Sequence, residues 1–206
     1  MASRSLVSAL RAVAGRVAVG FGRLLGVRHE AMCVYATSLE EGTVATRLPP
    51  GVEVDVERVG DVSNLPASAA TDAAPSDFVA VARDTADGTP GGVLGWAFAR
   101  VDAPVRVGEC VRPLAFEGAY VWGLFVEPAV RGDGVGTALV TTLTARVARD
   151  RTGAAFALVG RSNASSRAVF ERVGFECVAE TTRLAVLGRH PPTGLVLGTR
   201  TYREPR

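Results

Sequence analysis

The chain is short of the side chains that most often bind metals and form cross-links. It has only two histidines (His29, His190) and three cysteines (Cys33, Cys110, Cys177) in 206 residues. Neither histidine stands at a metal spacing from a cysteine or carboxylate, which argues against zinc. The cysteines lie far apart with no paired spacing, so they suit a reducing compartment better than a disulfide framework. A surplus of one charge is also missing. Lys and Arg number 23 and Asp and Glu 21, a formal charge of +2. That near-balance gives no electrostatic case for nucleic acid as the main partner.

A local absence marks the start of the chain. No Asp or Glu precedes Glu30, while Arg4, Arg11, Arg16, Arg23 and Arg28 punctuate an Ala/Val/Leu-rich run. On a helix, Leu6, Leu10, Val13, Val17, Phe21 and Leu24 form one stripe, with Arg4, Arg11, Arg16 and Arg23 opposite. Gly15, Gly20, Gly22 and Gly26 weaken it. Three arginines lie between Leu6 and Val27, each costing about 2.5–3.5 kcal/mol near a bilayer centre, so this is no membrane span. Three readings stay open for residues 1–28: a helix packed on the domain or on a second copy in a homodimer, an anchor on an anionic membrane surface, or an organellar transit peptide. Residues 1–45 are expected to form a basic amphipathic extension and 46–206 a single folded domain. The expected setting is cytoplasmic, with organellar targeting or peripheral membrane association left open.

From Gly51 the texture changes. Val52, Val54 and Val56 alternate with Glu53, Asp55 and Glu57, as in a half-buried strand. Residues 61–74 are Ala/Ser-rich and suit a short helix or loops. Strands are predicted at Phe78–Ala82, Val93–Val101 and Ala119–Val126, with Asp87-Gly88 in a turn. Residues 102–118 are too long for a tight hairpin. After Pro128 the period becomes helical: Val135, Leu139, Leu143 and Val147 recur every four residues, and Gly153 can end that helix. A buried strand at Ala155–Val159 follows, then a helix over 163–173 closed by Gly174. Further strands are read at Phe175–Val186 and Thr193–Tyr202. The order gives an α/β arrangement on a mixed sheet.

The informative stretch is Leu124-Phe125-Val126-Glu127-Pro128-Ala129-Val130-Arg131-Gly132-Asp133-Gly134-Val135-Gly136. A strand ends, the chain turns, and glycines crowd the first turn of a helix. Backbone N–H groups without intrahelical partners then face one point at the positive end of the helix dipole, where a phosphate can sit. Gly134 and Gly136 carry no side chain to hold the phosphate off, and Arg131 adds a fixed charge. The loop lacks Gly-Lys-Ser/Thr, so it is not a Walker-type nucleotide loop, and its spacing does not fit the dinucleotide fingerprint.

Arg131-x-x-Gly134-x-Gly136, preceded by Leu-x-Val-x-Pro, resembles the acetyl-CoA pyrophosphate loop of the GNAT superfamily of N-acetyltransferases. A second block, Asn163-Ala-Ser-Ser-Arg-Ala-Val-Phe170-Glu-Arg-Val-Gly174-Phe175, resembles the later helix of that family. The resemblance covers roughly residues 51–186. It implies a mixed, splayed β-sheet flanked by helices, with residues 46–206 as the acetyltransferase domain and acetyl-CoA as co-substrate without a metal.

By the same resemblance, backbone groups of Leu124, Phe125 and Val126 bind the pantetheine amides between two splayed strands. The N–H groups of Gly132, Asp133, Gly134, Val135, Gly136 and Thr137 hold the pyrophosphate, with Arg131 beside it. Asn163 lies near the pantetheine and Phe170 near the thioester sulfur, although Asn163 also reads as a plain helix N-cap and Phe170 as a core residue. The acceptor is a primary amine on a small molecule or peptide, and it must lose a proton before attack. Glu117 and Glu127, flanking the strand, are the candidate bases. The family often has Tyr where this chain has Phe170, and Phe cannot protonate a leaving thiolate, so the acid is unassigned. Two other readings remain at this stage: an acyl-CoA-binding or regulatory module without catalysis, and a module anchored to a membrane or partner by its first helix.

Overall fold

The computed structural model describes residues 27–39, 48, 50–62, 65–66, 69, 72–85, 91–101, 105–107, 114–116, 118–150 and 153–186. Strands β1 (Val27–Ser38), β2 (Val52–Arg58), β3 (Phe78–Asp84), β4 (Val93–Arg100), β7 (Gly118–Val126), β8 (Ala154–Gly160) and β9 (Glu176–Val186) form one sheet in the order β2-β3-β4-β7-β8-β1-β9. Two short strands, β5 (Val105–Val107) and β6 (Leu114–Phe116), pair with each other in a separate ribbon. Helices α1 (Val135–Asp150) and α2 (Ala164–Val173) follow β7 and β8. Every neighbouring pair in the large sheet is antiparallel except β7 and β8, which run parallel. The sheet is therefore mixed, and the parallel pair is the one that needs the α1 crossover.

The alternation of Val52, Val54 and Val56 survives in β2, where these residues are half-buried and the intervening acids exposed. In α1 the four-residue period of Val135, Leu139, Leu143 and Val147 becomes the face that packs on the sheet, with all four at most 1% exposed. Burying a Leu or Val side chain of this kind contributes about 1.5–3 kcal/mol. Ala97, Ala99, Ala119 and Val121 meet that face from the central strands. The opposite side of the sheet holds a second cluster around Val79, Val81 and Phe98.

One expectation needs correction. Residues 27–39 were placed in the N-terminal extension, yet Val27–Ser38 is an interior strand, antiparallel to β8 on one side and β9 on the other. With a strand on either side and both faces covered, Met32 to Ala36 are buried without alternation, which hides the strand from a period search. The stretch 102–118, read only as too long for a tight hairpin, contains β5 and β6. The helix over residues 6–24, the Asp87-Gly88 turn and the strand at Thr193–Tyr202 lie outside the described residues. So does Cys110, while Cys33 and Cys177 are free thiols. No helix among the described residues is long and apolar enough to cross a membrane.

β1 is fastened to α2 by a polar contact. The Tyr35 hydroxyl donates to Glu171 Oε1 at 2.7 Å and accepts from Arg167 Nε at 3.1 Å. Burial first, then the bond to Glu171, raises the Tyr35 phenol above its ordinary value, and Arg167 opposes the shift. A raised folded value means that the stabilisation is complete below the unfolded value near pH 10 and is lost as pH rises through the folded one. Tyr35→Phe is therefore expected to cost about 1 kcal/mol in urea unfolding at about pH 8. The gap between variant and parent should narrow as pH rises above the ordinary phenol value near 10, and an unchanged gap there would refute the contribution of the neutral phenol.

Candidate active site

The site begins where β7 leaves β8. Their parallel pairing runs from Gly118↔Ala154 to Val121↔Ala157 and stops, although β7 continues to Val126 and β8 to Gly160. On the other edge of β7 the register against β4 slips between Trp96 and Phe98, so two residues, Gly123 and Leu124, face Ala97 alone. This is a β-bulge. Gly123 sits at φ +64°, and a Cβ there would come within 2.9 Å of Phe98 Cδ2. Only glycine takes that position without strain.

After Val126 the chain makes a 3-10 turn at Pro128–Val130 and a glycine turn before α1. Gly132 and Gly134 lie at φ +97° and +90°. The Ala138 N–H donates to the Gly134 carbonyl at 2.9 Å. The N–H groups of Val135, Gly136 and Thr137 precede that bond and have no intrahelical acceptor. They form the positive end of the α1 dipole. The Arg131 side chain folds back along the same rim, its Nε donating to the Val126 carbonyl at 2.9 Å.

A cleft of about 500 Å³ opens here, between the splayed end of β7, the glycine turn and α2. The strand gives Leu124, Phe125 and Val126; the turn and first helical residues give Arg131, Gly132, Gly134, Gly136 and Thr137. Asn163 closes the far side. Its Oδ1 accepts from the Ser166 N–H at 3.1 Å and the Ser165 hydroxyl at 3.0 Å, so it caps α2 and lines the cleft at once. Thr137 is 4% exposed and its hydroxyl is buried without a hydrogen-bond partner among the described residues. A buried polar group in that state costs about 1–3 kcal/mol.

The remaining sequence candidates fall elsewhere. Asp133 is exposed on the same turn without lining the cleft, and the Val135 side chain belongs to the core at 1% exposure. Phe170, expected beside a thioester sulfur, is a core residue at 3% exposure. It stacks on Tyr35 at 6.2 Å and meets Phe175 edge-on at 5.1 Å. Gly136 lines the cleft and also has a packing purpose. A Cβ there would meet Val169 Cγ2 at 3.3 Å and Val126 Cγ2 at 3.4 Å, so it lets α1 approach α2 and β7 closely. Glu127 is half-buried just past β7, its N–H bonded to the Leu94 carbonyl at 2.8 Å, and does not line the cleft. Glu117 lies outside the described residues.

Sequence reasoning passed over the second wall. Ser165, Ala168, Val169 and Arg172 face the cleft from α2. Their spacing of three, four and seven marks one helix face, a signal that attention to Phe170 obscured. Arg172 had no local signature at all.

Residues 103–184 match the family model of FR47-like protein. Among solved structures, a GCN5-related N-acetyltransferase from Sphaerobacter thermophilus shares the fold with a TM-score of 0.54 and 16% identity, over 86% of this chain and 58% of that one. One from Kribbella flavida gives 0.51 and 16%, over 80% and 62%. A tandem GNAT protein from the clavulanic acid biosynthesis pathway gives 0.52 and 16%, over 82% and 58%. No curated protein matches the chain. The chain spans about three fifths of the length of the first two, at 58% and 62%.

The orphan hydroxyl gives a direct test of how the cleft is built. Thr137→Val keeps the shape and removes the unpartnered oxygen, so urea unfolding of the ligand-free chain should show equal or greater stability, by up to about 1 kcal/mol. A clear loss of stability would show that the hydroxyl is already satisfied.

Proposed function

We propose that this chain belongs to the GNAT superfamily and is an acyl-CoA-dependent N-acyltransferase that uses acetyl-CoA and a primary amine. The observation that carries the reading is the Thr137 hydroxyl, buried without a partner beside the open N–H groups of α1, with Arg131 on the rim. Donors without acceptors at a helix N-terminus suit a pyrophosphate. The splayed end of β7 suits an extended amide-bearing arm, since strand backbone that has lost its neighbour can bond one. Asn163 and Ser165 border the same cleft with polar groups. In this reading Leu124, Phe125 and Val126 hold the pantetheine, and Gly132 to Thr137 hold the pyrophosphate.

Acyl-CoA supplies a thioester carbonyl. The amine nitrogen forms the C–N bond as the C–S bond breaks, coenzyme A leaves as its thiol, and the amine surrenders a proton. The Phe170 ring is in the core and carries no acid group, so it does not protonate the departing thiolate, and the proton comes from water or another group. Glu117 and Glu127 stay candidates for the base, Glu127 acting through water because it does not line the cleft.

Calorimetric titration with acetyl-CoA tests the reading. Wild type should bind, and Arg131→Glu, at an exposed position, should weaken binding by more than about tenfold without loss of fold. Failure of folded wild type to bind acetyl-CoA would overturn the proposal. Binding without acetyl transfer to any amine would favour a regulatory acyl-CoA-binding module instead.

A further inference from the structure

We propose that the acceptor site is an aromatic shelf on the face of the sheet opposite α1 and α2, and that it takes an amine carried on a planar aromatic body with a hydrogen-bond acceptor. The inference rests on the acyltransferase reading above and names the acceptor class.

Its origin is the bulge. In an unbroken strand Trp122 and Phe125, three residues apart, point to opposite faces. The extra residue at Gly123 brings them to the same one. Trp122 stacks on Phe98 at 4.7 Å and 22°, and Phe125 on Trp96 at 4.4 Å and 23°. Their neighbours Val121, Leu124 and Val126 meanwhile face the helices. Phe98 is buried, whereas Trp96, Trp122 and Phe125 are half-buried. Val59, Val62 and Leu65 pack over part of this face. Phe125 also lines the cleft, so the shelf and the cleft adjoin across the splayed strand.

Two chemical features choose the occupant. Trp122 Nε1 is buried with no hydrogen-bond partner among the described residues, a donor that an acceptor on a ligand can satisfy. The described residues packed on the shelf are apolar, and the charge that reaches it is already matched. The Arg100 guanidinium lies 5.7 Å from the Trp122 ring centre and binds Asp77, 1% exposed, at 2.6 Å. Flat rings half open to solvent favour a flat apolar ligand, and nothing described there offers an anion to a polyamine.

Trp96 and Trp122 are the two tryptophans of the chain, so tryptophan emission reports on the shelf alone. Titrating the full chain, with and without saturating coenzyme A, should give a saturable emission change with tyramine or its meta isomer. Phenethylamine should bind more weakly, and n-hexylamine and spermidine weaker still, by about tenfold or more. Trp122→Phe keeps the stacking and removes the donor. It should raise KM for the hydroxylated amine about tenfold, erase its advantage over phenethylamine, and leave kcat and coenzyme A affinity nearly unchanged. Equal binding of n-hexylamine, or a lower Tm in Trp122→Phe with KM unmoved, would overturn the shelf and leave the acyltransferase reading standing. Absence of coenzyme A binding would instead sink that reading, while the titration without coenzyme A still reads the shelf.

Discussion

The rest of the structure depends on one interrupted ladder. Hydrogen bonding between β7 and β8 ends at Val121 and Ala157, several residues before either strand does. Backbone polar groups without partners are costly, and proteins rarely leave them facing empty space. Here they border a cleft whose other side is a helix N-terminus with its own open N–H groups. The parallel crossover that puts α1 directly after β7 is what brings these two sets of unspent donors and acceptors to one place.

Around this opening the chain is closed tightly. The apolar face of α1, the alanines of β4 and β7, and the ring stack of Tyr35, Phe170 and Phe175 leave little freedom for the cleft walls. α2 is fixed at both ends. Asn163 caps its start, Gly174 at φ +97° ends it, and the Tyr35 hydroxyl ties Arg167 and Glu171 to β1. A strand from the start of the described chain thus steadies the wall that carries Asn163 and Arg172.

Much of this was legible in the sequence where chemistry and period agree. The four-residue repeat of α1, the glycine turn before it, the Asn163 cap and the Gly174 stop each have a local cause, and each appears at its expected place. β1 escaped because a strand covered on both faces has no period, and the basic stretch before it drew the boundary too late. The bulge escaped because Gly123 inside an apolar strand announces only some irregularity, not which one. Phe170 was drawn to the site by resemblance to other chains, while its burial follows from ring packing with Tyr35, a residue 135 positions away that no local pattern connects to it.

Gly123 also sets the parity of everything after it in β7. Side chains up to Trp122 follow one even–odd assignment of faces, and those from Leu124 follow the other. Were the bulge ironed out with every residue kept, Leu124 and Val126 would turn to the aromatic face and Phe125 toward the helices, exchanging the linings of both surfaces in one step. Deleting Gly123 would instead restore plain alternation and leave each side chain on its present face. The two linings are therefore held in place together by one backbone irregularity, and a substitution that the bulge does not tolerate acts on both at once.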